Sequence, residues 1–106
     1  MSDKLFMAEK IYLNLDKKLR KIIPGFLENR QKDLGELQSA KNDQDFNKIE
    51  LIGHQLMGSA GSYGFTTLSR LGKDLEVAAQ KKDIDDANLI ISQIADHLNL
   101  LEIDYE

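Results

Sequence analysis

From Pro24 to the end of the chain, apolar residues recur at spacings of three and four, and short polar or Gly-containing turns interrupt them three times. In an α-helix each residue advances about 100°, so such spacing gathers side chains on one stripe. Phe26, Leu27, Leu34 and Leu37 form the first stripe, with Arg30 on the same face. Phe46, Ile49, Ile52, Gly53, Leu56, Ala60 and Tyr63 form the second. Phe65, Leu68, Leu71, Leu75 and Ala78 form the third, and Ala87, Ile90, Ile91, Ile94, Leu98, Leu101 and Tyr105 the fourth. Helices joined by turns this short must lie mostly as antiparallel neighbours, each burying its stripe on the others. The pattern predicts an all-α antiparallel four-helix bundle, with helices at about 24–41, 43–62, 65–81 and 84–103.

Local signals refine the boundaries. Pro24 disfavours helical geometry at Ile23 and suits the first turn of a helix. Asp43 is placed to cap the second helix and Thr66 or Thr67 the third. Lys81 and Lys82 put cations at the end of the third helix, and Asp83, Asp85 and Asp86 put carboxylates at the start of the fourth. Upstream, Asp16 is read as the N-cap of a short helix through about Ile22, with Leu19, Ile22 and Ile23 turned inward. Ile11, Leu13 and Leu15 alternate with Tyr12 and Asn14, a strand-like period with no evident partner strand. Residues 1–15 are therefore read as an extended arm on the bundle, with a turn of helix between Lys4 and Glu9. Residues 16–106 are read as the helical domain.

Composition excludes several function classes. At 106 residues and 42% hydrophobic content the chain makes one domain with one core. A net charge of −4 and the lack of a basic patch argue against nucleic acid as a partner. The absence of cysteine removes disulfides, thiol chemistry and cysteine-based zinc sites, and fits a cytoplasmic protein. The N-terminal apolar run Leu5–Ala8 is too short for a signal peptide or a membrane span.

His54 stands apart from the second stripe. It projects roughly 120–140° from the middle of that stripe, onto the outer face of its helix. Gly58 lies one turn further on the same side, with Gly61 and Leu51 close by. Gly58, Gly61 and Gly64 fall within seven residues, and each glycine weakens a helix interior by roughly 1 kcal/mol relative to Ala. Gly64 is explained as a helix terminator. Gly58 is better explained by the close approach of a partner surface to the imidazole. Neutral imidazole is a good nucleophile near pH 7 because its unperturbed pKa is about 6.5.

The run His54-Gln55-Leu56-Met57-Gly58-Ser59-Ala60, followed by Gly64, Leu68 and Leu75-Glu76, resembles the signature of histidine-containing phosphotransfer (HPt) domains. The resemblance extends from about Asp16 to the end of the chain. It implies a helical bundle whose exposed histidine, here His54, accepts a phosphoryl group from a receiver-domain aspartate and passes it to another. It further implies that Leu51, Gln55, Met57, Gly58, Ser59 and Gly61 form the docking and phosphate-proximal surface. The implied partners are receiver domains or a hybrid histidine kinase. The family usually carries Lys three residues after the histidine, where it can steady the phosphoryl group, and this chain has Met57 there.

Phosphoryl transfer depends mostly on positioning and charge neutralisation. The chain has no magnesium-ligating carboxylate cluster, Gly-rich phosphate loop or ATP-binding motif, so magnesium is expected from the partner's acidic pocket. A self-sufficient enzyme is disfavoured, since no second catalytic group converges on His54 in the sequence. The leading expectation is a monomeric phosphocarrier. The alternative is a helical module that docks a receiver or kinase through Leu51, His54 and Gly58 without transfer, and Met57 keeps it open. Lys73, Arg70 and Lys48 are candidates to replace the missing lysine. Arg30, in an apolar stripe, reads first as a snorkelling or carboxylate-paired side chain and second as a phosphate contact. His97, at the edge of the fourth stripe, reads as structural, and the two histidines do not make a zinc site.

Overall fold

A computed structural model describes residues 10–106, and the turn of helix expected between Lys4 and Glu9 lies outside them. Along the described chain run strand β1 (Ile11–Leu15), a 3-10 turn (Lys17–Leu19), helices α1 (Ile23–Asn42), α2 (Phe46–Ser62), α3 (Thr66–Gln80) and α4 (Ile84–Leu100), and strand β2 (Leu101–Tyr105). Helix α1 packs on α2 and α4, α2 on α3, and α3 on α4, which closes a four-membered ring. None of the described helices is long and apolar enough to cross a membrane.

The four apolar stripes make the core. Ile23, Leu37, Ile49, Leu56, Phe65, Leu68, Leu75, Ile91 and Ile94 are its largest fully buried side chains. Burying one such side chain stabilises the fold by roughly 1.5–3 kcal/mol. At one end Phe26 stacks on Phe65, with ring centroids 4.9 Å apart, and meets Tyr63 edge-on at 5.3 Å. Ile22 is an exception to the expected inward set, with 47% of its surface exposed. It sits just before α1 begins, in a turn that aims it at solvent.

All three turns between helices share one geometry. Gln44, Gly64 and Lys82 take positive φ values of 50°, 86° and 55°. In each turn the next residue donates its N–H back to a helical alanine: Asp45 to Ala40, Phe65 to Ala60 and Asp83 to Ala78, at 2.8–3.0 Å. This is the Schellman pattern, which satisfies carbonyls left over at a helix C-terminus. The same residue is the N-cap of the following helix. Asp45 accepts from Lys48 N at 3.1 Å and Asp83 from Asp86 N at 3.0 Å. The cap of α2 is therefore Asp45 and not Asp43, which instead ends α1. Neither Thr66 nor Thr67 caps α3, because Phe65 occupies the cap position and has no side-chain acceptor.

The N-terminal region also departs from expectation. Asp16 does cap, accepting from Lys18 N at 2.9 Å, but it opens a single 3-10 turn and not a helix to Ile22. Ile11–Leu15 has a partner after all. It pairs in parallel with Leu101–Tyr105, in register from Ile11–Leu101 to Leu15–Tyr105. The fourth helix accordingly stops at Leu100, not near 103. The described residues thus make a helical bundle with a small two-stranded sheet. Parallel strands need a long crossover, and here the whole bundle supplies it. Ile11, Leu13, Leu15, Leu101, Ile103 and Tyr105 turn toward the core, while Tyr12, Asn14, Glu102 and Asp104 face out.

Candidate functional site

Helix α2 is buried along Ile49, Ile52, Gly53, Leu56 and Ala60, so its opposite side is left to solvent. His54 stands on that side with 62% of its side chain exposed. Leu51, one turn before it, is a large apolar side chain with 55% of its surface exposed. Gly58, one turn after it, is exposed, and a Cβ placed there would meet nothing within 4 Å. Gly61 is also exposed, and a Cβ there would come 3.2 Å from Ser69 Oγ. Leu51, His54, Gly58 and Gly61 therefore share one outer face, and Gln55 is exposed at its shoulder.

Two of the expected site residues lie elsewhere. Met57 is half-buried, with its backbone against α3 and its carbonyl accepting from Ser69 Oγ at 2.7 Å. Ser59 turns toward α1, where its hydroxyl accepts from Arg30 Nη1 at 2.7 Å. Arg30 is itself committed to that seam. Its guanidinium lies 4.8 Å from the Phe26 ring centroid, and its Nε pairs as a charge with Asp33 at 2.8 Å without an aligned hydrogen bond. Burial pushes the Asp33 carboxyl above its ordinary value, against the lowering pull of Arg30. Arg30 thus follows its structural reading and not the phosphate-contact one.

The partner of His54 that sequence reasoning missed comes from α3. Glu76 is buried, and its Oε2 lies 3.0 Å from His54 Nδ1. Its Oε1 accepts from Lys73 Nζ at 3.4 Å. A carboxylate can only accept, so Nδ1 carries the proton and donates it. In neutral imidazole the other nitrogen, Nε2, then holds the lone pair. A buried carboxylate thus fixes the ring and leaves a defined nucleophilic atom. No second group is near His54 in the sequence, but in the fold Glu76 meets it from α3, with Lys73 joined to Glu76 there.

Their approach has a backbone cause. A Cβ on Gly72 would fall 2.6 Å from Met57 N and 2.8 Å from Gly53 O. A Cβ on Gly53 would fall 2.8 Å from Gly72 O and 2.9 Å from Glu76 N. Helices α2 and α3 therefore touch backbone to backbone, and only glycine permits that. The seam's outer rim becomes a row of polar pairs. Gln80 donates to Glu50 at 3.1 Å, His54 to Glu76, and Ser69 to the Met57 carbonyl. Between them, Asn47, Glu50, Leu51, His54 and Glu76 line an open groove of about 340 Å³. Gly53 lay on the expected inner stripe, and a facing glycine on α3 was the available signal for this contact.

Among the described residues no group of three or more histidine or acidic side chains is placed to hold a metal ion. A family model for the Hpt domain matches residues 22–103. No curated protein and no solved structure gives a significant match.

Proposed function

The chain belongs to the Hpt domain family, whose members carry phosphoryl groups in two-component phosphorelays, and from that premise we propose that His54 is the acceptor. One observation carries this reading: an exposed imidazole whose Nδ1 is held by a buried carboxylate, beside a glycine open to solvent. In the proposed reaction Nε2 attacks the phosphorus of a receiver's aspartyl-phosphate. The Nε2–P bond forms as the P–O bond to aspartate breaks, and the electron pair leaves with the carboxylate. Reversal onto a second receiver completes the relay. Fixing the ring supplies orientation, the main protein contribution to such a transfer.

Leu51, Gly58 and Gly61 serve as the docking surface, with Gln55 and Met57 at its margin and Ser59 supporting it from the α1 side. Magnesium comes with the receiver's acidic pocket. The reading also takes the helices as antiparallel neighbours, supported by contacts that step in opposite directions: Gly53 with Glu76, Met57 with Gly72 and Gly61 with Ser69. It takes residues 16–106 as the domain and 1–15 as its N-terminal arm, in a monomer acting in the cytoplasm. A docking module without transfer is the second reading, favoured by the uncharged side chain at Met57. Incubation with a phosphorylated receiver separates the two. Acid-labile phosphate on the wild type but not on His54→Gln supports transfer, and receiver binding without labelling supports docking alone.

A further inference from the structure

We infer that Lys73 supplies, from the neighbouring helix, the positive charge that faces the phosphoryl group on His54, in place of the charge missing at Met57. The inference rests on the reading of His54 as the acceptor. Three cations are candidates by sequence, and the structure separates them. Lys48 Nζ lies 4.0 Å from Glu36 Oε1, toward α1. Arg70 pairs with Asp74 one turn along its own helix, at 3.3 Å. Lys73 alone of the three is joined to the histidine. Its Nζ is 3.4 Å from Glu76 Oε1, and Glu76 Oε2 is 3.0 Å from His54 Nδ1.

The placement follows from the glycine contact. Gly72 brings α3 against the backbone of Met57, and Lys73 is the next residue. Lys73 therefore emerges beside the position where the family usually carries its lysine, but from the other helix. Its side chain is 56% exposed, so the ammonium is not trapped on Glu76. A flexible four-carbon stem lets it turn without moving the backbone.

Transfer changes which partner it prefers. Before reaction, Glu76 shares its two oxygens between a neutral imidazole N–H and the ammonium. When Nε2 takes the phosphoryl group, the Nδ1 proton stays in place and the ring becomes cationic. Glu76 then faces a charged N–H, a stronger hydrogen bond than the neutral one. The phosphoryl oxygens bring new negative charge to the same rim. Lys73 turns from the carboxylate to those oxygens, and no proton or electron leaves the site in this exchange.

The test uses phosphoramidate as a partner-free donor, whose P–N bond breaks with release of ammonia. Intact-mass time courses give formation and decay of the phosphohistidine at two ionic strengths. Lys73→Met should slow formation or shorten lifetime by about two- to fivefold, the scale of a wet, screened pair. The difference should shrink as salt rises. Adding Met57→Lys to Lys73→Met should restore wild-type behaviour, and Lys48→Met should change nothing. A Lys73→Met protein that matches wild type at low salt overturns the inference. So does a slow Lys73→Met protein that Met57→Lys does not rescue, because Lys73 would then act only by holding Glu76. If wild type takes no phosphate from phosphoramidate or from a phosphorylated receiver, the reading of His54 fails and takes this one with it. If wild type is labelled normally, a null result for Lys73→Met removes Lys73 alone.

Discussion

Gly53 and Gly72 meet backbone to backbone across the α2–α3 seam, and neither has room for a methyl group. The contact sets more than packing. Glu76 lies one turn beyond Gly72, and His54 follows Gly53 directly. The closeness of the two helices is what lets a buried carboxylate on one reach an exposed imidazole on the other.

Gly72→Ala should therefore destabilise the protein by about 1–3 kcal/mol, the usual cost of overpacking. The atoms struck are backbone and cannot swing aside, so the cost exceeds the gain of up to about 1 kcal/mol that Ala brings to a helix interior. Gly35 lies in α1 with nothing within 4 Å of a Cβ, and Gly35→Ala should stabilise by up to about 1 kcal/mol. Urea unfolding of both variants checks the pair. The two stability changes should have opposite signs.

Glu76→Gln should release the imidazole tautomer. An amide offers both a donor and an acceptor, whereas the carboxylate only accepts. Nitrogen-15 NMR of the ring should find His54 protonated at Nδ1 in wild type and mixed in the variant, with slower phosphorylation. An unchanged tautomer would mean that Glu76 does not set it.

Gly58→Leu should separate docking from chemistry. The site is open, so the fold is kept, and helix propensity favours the change by up to about 1 kcal/mol. On the proposed docking surface a side chain there would stand in the path of a receiver, and hot-spot losses at an interface centre reach tenfold or more in affinity. Receiver affinity should fall by at least about tenfold while phosphoramidate still labels His54. Unchanged receiver affinity would place the docking surface elsewhere.

His97 should give stability a dependence on pH. Burial holds its imidazole below the ordinary 6.5, and the charge of Arg70 pushes the same way. As pH falls below 6.5 the unfolded chain takes up a proton that the folded chain refuses, so stability is lost from there down to the folded value. Above 6.5 the group contributes its full share. Urea midpoints at pH 7.5 and 5.5 should fall further in wild type than in His97→Gln. Equal drops would contradict this.

The helices were legible because their stripes are long and repeat at three and four. The sheet was hidden by the same signal. Leu98, Leu101 and Tyr105 continue the helical spacing of α4, while Leu101, Ile103 and Tyr105 also alternate, and the second period prevails because Ile11–Leu15 lies alongside. The two segments are remote in the chain, so the alternation of each does not announce their pairing. The face carrying Leu51, His54 and Gly58 was legible by angle alone, since all three sit on one helix. Glu76 was not legible as the partner of His54, and Lys73 was legible only as one of three candidate cations, because their register depends on how two backbones slide past one another. Glu76 was visible only as part of the family pattern.

The most direct measurement is phosphate transfer through His54 in both directions. A receiver labelled on its aspartate is mixed with wild type and with His54→Gln, the label is followed onto this chain, and a second, unlabelled receiver is then added. Acid-labile, alkali-stable label should appear on wild type and pass to the second receiver, and none should appear on a His54→Gln protein that remains folded, since an exposed substitution shifts stability by less than about 0.5 kcal/mol. Label that persists in His54→Gln, or a wild type that binds receivers and never takes label, would contradict it.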